Sequence, residues 1–154
     1  MERKELKVSA IKNGTVIDHL PSDSVFQVIR ILNLNNSENP LYSGINLESK
    51  KFGNKGIIKV ENRYFKPEEV NKIALLAPKA TMIEIKDFDV VRKTSLEIPD
   101  VITKVVKCIN PKCITNNQNV PTKFEVMNKD KEEELKLHCH FCEKTTAREN
   151  IMFK

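Results

Sequence analysis

The chain has 154 residues, 40% hydrophobic and 31% charged, with 26 Lys and Arg against 21 Asp and Glu and a formal charge of +5. That length holds one domain or two small ones, and the apolar share is enough for a core, which excludes wholesale disorder. No apolar run approaches the ~18 residues of a membrane span, and the opening MERKELKVSA has no apolar stretch of the secretory kind, so the sequence reads as cytoplasmic with no membrane partner.

Residues 6–11 alternate apolar and polar like a strand, and Asn13-Gly14 is a turn signal. Residues 15–20 resume β-like sequence until Pro21. Ser22 or Asp23 can cap a helix whose apolar stripe is Val25, Val28, Ile29 and Leu32. A polar loop over 33–40 leads to a strand over 41–47, a turn at Gly53-Asn54-Lys55-Gly56 and a strand over 57–60. Pro67 suits the first position of a second helix, with Glu68 and Glu69 favourable in its first turn. Val70, Ile73, Ala74 and Ala77 form its stripe and Pro78 stops it. Strands over 81–85 and 89–92 complete the order β-α-β-β-α-β with extra strand at the ends, which is ferredoxin-like and predicts an antiparallel sheet with two helices on one face. Residues 94–100, TSLEIPD, are a linker candidate. Beyond them only short strands are expected, over 101–107, 122–127, 135–138 and 146–153, with a charged turn at 128–134. The fold class is thus α+β: an N-terminal domain over 1–97 and a small all-β domain over 101–154.

All four cysteines lie in that second part, as Cys108-x4-Cys113 and Cys139-x2-Cys142 separated by 25 residues. Two short pairs joined by a hairpin-sized insert let four sulfurs converge on one tetrahedral Zn2+. Disulfides do not suit a reducing compartment, and a redox pair at Cys139 and Cys142 would leave Cys108 and Cys113 unexplained. Four thiolates saturate zinc, so one structural metal is expected. His138 and His140 then lie on the outer face of the second turn. Four thiolates and one Zn2+ change the formal charge by −2, from +5 to +3. Residues 1–100 hold 16 basic and 14 acidic residues and the remainder 10 and 7, so neither part is a cationic arm. A nucleic-acid footprint needs a dense cationic stripe, and no such partner is expected.

No P-loop, G-x-S-x-G, H-E-x-x-H or dinucleotide fingerprint is present, and only four Gly exist. The one histidine outside the cysteine region, His19, follows Asp18. Strand neighbours point to opposite faces, so the two are not expected to act together. A binding or regulatory module is favoured over a catalyst.

Gly14-Thr15-Val16-Ile17-Asp18-His19, Ile58-Lys59-Val60-Glu61-Asn62 and Leu76-Ala77-Pro78-Lys79-Ala80-Thr81 resemble the aspartate carbamoyltransferase regulatory chain family. So does Cys108-x4-Cys113 with Cys139-x2-Cys142-Glu143-Lys144. The resemblance covers nearly the whole chain. It implies a non-catalytic subunit of pyrimidine biosynthesis that self-associates as a dimer through its N-terminal domain. It also implies binding of nucleoside triphosphates, CTP and ATP, and bridging of catalytic trimers through the zinc domain. Carried over residue by residue, it implies Ala10, Ile11 and Val16 at the base, Asp18 at the ribose, and Lys59 at base and ribose. His19 and Lys93, assisted by Lys55, fall at the triphosphate, while Ile85 and Val90 line the pocket. Asn110 and Glu143 match positions that contact the catalytic chain. Ser9, Ile83, Phe88 and Lys112 depart from the family pattern. The alternative, invited by zinc and a pI near 9.0, is a zinc-ribbon nucleic-acid-binding protein; Lys131-Glu132-Glu133-Glu134 on the insert argues against it.

Overall fold

The computed structural model describes residues 10–50 and 53–154. Most of the strand expected over 6–11, Ser9 included, lies outside the described residues; Ala10 and Ile11 are described and are not in a strand. The chain divides into two compact units. One comprises the described residues through Lys66 together with Lys79–Leu96, the other Pro67–Pro78 with Glu97–Lys154.

The first unit is a five-stranded sheet made of β1 (Gly14–Leu20), β2 (Leu41–Ser49), β3 (Gly53–Glu61), β4 (Thr81–Lys86) and β5 (Asp89–Ser95), with helix α1 (Val25–Ile31). The strand order β2-β3-β1-β4-β5, antiparallel throughout, is the one ferredoxin-like connectivity predicts, with β5 added at the edge. β1 starts at Gly14, where φ is 142° and a Cβ would lie 2.0 Å from the Val60 carbonyl oxygen, so a side chain is excluded on two counts. Gly56 has a different reason: its Cβ would meet the Val25 side chain at 2.2 Å, because α1 packs down on that side of β3. Ile17, Leu20, Val25, Val28, Ile58 and Val60 are buried.

Three local expectations change. Neither Ser22 nor Asp23 caps α1; a single 3-10 turn, Ser22–Ser24, precedes it, and the Ser22 hydroxyl accepts from the Asn46 backbone N–H at 3.0 Å. The polar loop holds a 3-10 turn, Leu34–Asn36, that buries Leu34. Gly53-Asn54-Lys55-Gly56 is not a turn but the start of β3, where Gly53, Asn54 and Lys55 pair with Ser49, Glu48 and Leu47 of β2. Glycine-rich composition marked the hairpin but displaced it by a few residues.

The second unit holds α2 (Pro67–Leu76), β6 (Val101–Thr103), β7 (Val106–Lys107), α3 (Ile114–Asn117), β8 (Lys123–Met127), β9 (Lys136–Cys139), β10 (Thr145–Ala147) and β11 (Met152–Phe153). β10, β9, β8 and β6 form one sheet in that order, and β11 pairs with β7. The strand expected over 101–107 breaks at Lys104, whose φ is 70°, and α3 was not expected. The core joins Ile102, Val105, Val106, Phe124, Leu135 and Leu137 to Cys108, Cys113, Cys139 and Leu75 of α2.

α2, within residues 1–97 in the sequence reading, groups with the second compact unit. Ile73, Ala74 and Leu75 are 0, 0 and 2% exposed. Three consecutive helical residues span about 200° of the helix circumference, so α2 is buried over more than one stripe. The stripe read from the sequence omits Leu75, the residue that enters the cysteine-bearing core. Glu68 also reaches Lys104 at 3.7 Å, and Lys72 Nζ donates to the Lys154 carbonyl oxygen at 2.6 Å. Among the described residues no helix is long and apolar enough to cross a membrane.

Candidate functional site

The four cysteine sulfurs lie within 4.8 Å of one another. Cys108 and Cys142 Sγ are 3.6 Å apart, and Cys113 and Cys139 Sγ 3.8 Å. A tetrahedral centre with Zn–S bonds of about 2.3 Å requires sulfurs about 3.8 Å apart, so the cradle has the size of that ion. Local backbone brings each sulfur there. Cys139 and Cys142 share a tight turn closed by the Glu143 N–H donating to the Cys139 carbonyl at 3.0 Å, with Glu143 at φ 63°. On the other side the Cys113 N–H donates to the Asn110 carbonyl at 3.0 Å.

The donor set also fits thiolates. Burial pushes Cys108 up to about 12, opposed by the Asn110 backbone amide. Burial likewise raises Cys139, opposed by the amides of Cys142 and Phe141. At Cys142 burial acts upward too, but the Lys144 amide, the Asn110 side chain and the neighbouring thiols outweigh it and bring it down to about 6. Amides that favour a thiolate converge on sulfurs whose burial disfavours one, and a divalent cation resolves that conflict. Among the described residues the cluster contains no histidine. His140 is exposed with its ring edge-on to Phe141, and His138 pairs in register with Glu125 and Thr145. Of the two residues expected at a catalytic-chain contact, Glu143 is exposed, whereas the Asn110 side chain turns toward Cys142.

The second candidate is a sheet face. Residues directly opposite each other on neighbouring strands share a face. Lys59 pairs with Val16, Val16 with Ile83, and Ile83 with Lys93, which makes one row across four strands. Gly14 pairs with Ile85 and Ile85 with Val90, a second row on that side. Lys55 alternates with Gly56, which faces α1, so Lys55 too lies on the side away from α1. Ile11, Val16 and Ile57 are buried there, with Leu47, Ile83 and Ile85 packed against them. Asp18 meets Lys55 Nζ at 2.8 Å. Burial pulls the Lys59 ammonium below its ordinary value, and the Asp18 carboxylate partly restores it. Lys93 and Val90 are exposed, as is Ala10.

His19 corrects the alternation argument. The register slips between Ile17 and Leu20: Ile17 pairs with Ile58 and Leu20 with Gly56, so Asp18 and His19 together oppose the single residue Ile57. This is a β-bulge, and His19 takes φ 57°. Its Nδ1 lies 3.2 Å from Thr81 Oγ1, and Thr81 is the cross-strand partner of Asp18. Both polar side chains are thereby delivered to one side of the sheet. Thr81 itself is buried and was not among the expected site residues, although it ends the Leu76–Thr81 motif; its place opposite Asp18 requires the register.

Residues 6–97 match the family pattern described as aspartate carbamoyltransferase regulatory chain, allosteric domain, and residues 100–152 match that of the metal binding domain of the same chain. Similar curated proteins bear the same name. One from Pyrococcus abyssi is 51% identical over 150 residues, covering 96% of this chain and 97% of the relative. One from Thermococcus sibiricus is 50% identical over 151 residues, covering 98% and 97%. One from Bacteroides fragilis is 45% identical over 149 residues, covering 97% and 95%.

Proposed function

The chain belongs to the aspartate carbamoyltransferase regulatory chain family, a non-catalytic subunit with an allosteric and a metal-binding domain, and from that premise we propose that its allosteric domain binds nucleoside triphosphates, CTP and ATP. The observation that carries this is the sheet face away from α1. It combines an apolar floor of Ile11, Val16, Ile57, Ile83 and Ile85 with Lys55, Lys59 and Lys93, and with Asp18 and His19 from the bulge. A base suits the floor, Asp18 can accept from ribose hydroxyls, and lysines act as point charges on a triphosphate. The Asp18–Lys55 pair holds the carboxylate in place before the sugar arrives.

The second half of the proposal is division of labour. The metal domain attaches to the catalytic chain, with Asn110 and Glu143 at that contact, and the allosteric domain pairs with a second copy, so that dimers bridge catalytic trimers. Four thiolates around Zn2+ leave no position for water or substrate, so the metal supplies a structural cross-link. Nucleotide acts by differential affinity for two states of the assembly, a coupling of about 1–3 kcal/mol; a nucleotide bound equally by both states shifts nothing.

Calorimetric titration of CTP and ATP into the complex with the catalytic chain tests this. Lys93→Ala is expected to weaken nucleotide at least about tenfold and leave co-purification intact. Cys113→Ala is expected to abolish co-purification. Unchanged CTP and ATP titrations in Lys93→Ala would refute the site.

A further inference from the structure

The x4 spacing of the first cysteine pair is two residues longer than the x2 of the second, and the extra loop needs support of its own. α3 supplies it through three consecutive side chains. Asn116 Nδ2 donates to the carbonyls of Cys108 at 2.9 Å and Asn110 at 2.8 Å. Asn117 Nδ2 donates to the carbonyls of Cys113 at 2.8 Å and Pro111 at 3.0 Å. Preceding these two asparagines in α3 is Thr115, whose Oγ1 lies 3.1 Å from Cys113 Sγ, with both residues buried. Backbone amides serve Cys108, Cys139 and Cys142, the last together with the Asn110 side chain, and a side-chain hydroxyl stands beside Cys113.

A metal-bound thiolate has no proton to give, so in the loaded protein the hydroxyl must donate to the sulfur. Such a bond withdraws charge from the thiolate and fixes its direction, and partners behind a ligand commonly set metal affinity by 10–100-fold. We propose that Thr115 is a positioning residue of the metal centre: its hydroxyl orients the Cys113 thiolate and holds the metal at that corner of the cradle. The proposal rests on the metal reading of the four cysteines.

The test uses the full-length chain loaded with zinc or cobalt. One equivalent of metal bound by the parent chain checks the metal reading by itself, separately from Thr115. Thr115→Val keeps the volume and removes the donor; zinc transfer to a competing chelator is expected to accelerate at least about tenfold. In the cobalt form its thiolate-to-metal charge-transfer band should move to lower energy, because the sulfur loses a donor. Thr115→Ser should return both the rate and the band toward the parent. Thr115→Ala is read in the same way if the valine variant does not fold. Asn117→Ala, which cuts carbonyl ties but no sulfur contact, should leave the band unmoved. A donor-less variant with the parent band and release rate would overturn the proposal. So would a serine variant that loses metal as fast as the valine one, since packing alone would then explain the loss.

Discussion

The two units put their candidate sites in opposite relations to their cores. In the sheet unit the main core lies on the α1 side, formed by Ile17, Leu20, Val25, Val28 and Ile58, and the lysines occupy the other face. In the second unit Cys108, Cys113 and Cys139 are themselves core residues, packed with Phe124, Leu135 and Leu137, and its strands are two to five residues long. One candidate site overlies a core built on the opposite face of its sheet; the other is itself part of its unit's core. Loss of ligand should therefore cost the first unit little structure and the second nearly all of it.

Metal removal should break the comparison most visibly. Structural zinc supplies apparent free energy of order 10–16 kcal/mol to small domains. Complete chelation is expected to erase native NMR signals from Phe124 and Leu137 while those of Ile17 and Ile58 persist. Persistence of both sets would show that the second core stands without metal. Next in size is Leu75→Ala, at about 2–5 kcal/mol for a fully buried leucine. Denaturant unfolding should show it in the metal-bearing unit, with metal release shifted in parallel; a shift confined to the sheet unit would reassign α2. Gly14→Ala should cost the sheet unit more than about 1 kcal/mol, since the position combines positive φ with a close carbonyl. Lys93→Ala, by contrast, should change unfolding free energy by less than about 0.5 kcal/mol while weakening nucleotide, which is the signature of a site laid over a finished core. Glu132→Gln removes the 2.7 Å pair with Arg148, both partly exposed. It should cost only about 0.2–1 kcal/mol in a thermal melt, showing that metal rather than surface ion pairs sustains this unit.

Much of this was legible in the chain. Cys108, Cys113, Cys139 and Cys142 could be named as one cluster because a local turn closes each pair, five and three residues apart, and the hairpin-sized insert between them lets the pairs meet. The α1 stripe of Val25, Val28, Ile29 and Leu32 is buried as its spacing predicts. Other features were out of reach. α3 is four residues long, too short for periodicity to register. The β2–β3 pairing runs through Gly53, Asn54 and Lys55, opposite Ser49, Glu48 and Leu47, a register no local composition specifies.

Sequence alone determined the four-cysteine cluster, the β-α-β-β-α-β element order and the family, since each rests on local spacing or on residues in linear order. Tertiary structure decided two matters. The slipped register of β1 against β3 put Asp18 and His19 on one side, which a period of two forbids in an unbulged strand. Leu75 of α2 enters the cysteine-bearing core from outside the stripe read at helical spacing. Both depend on partners distant in the chain, and that is why linear patterns do not contain them.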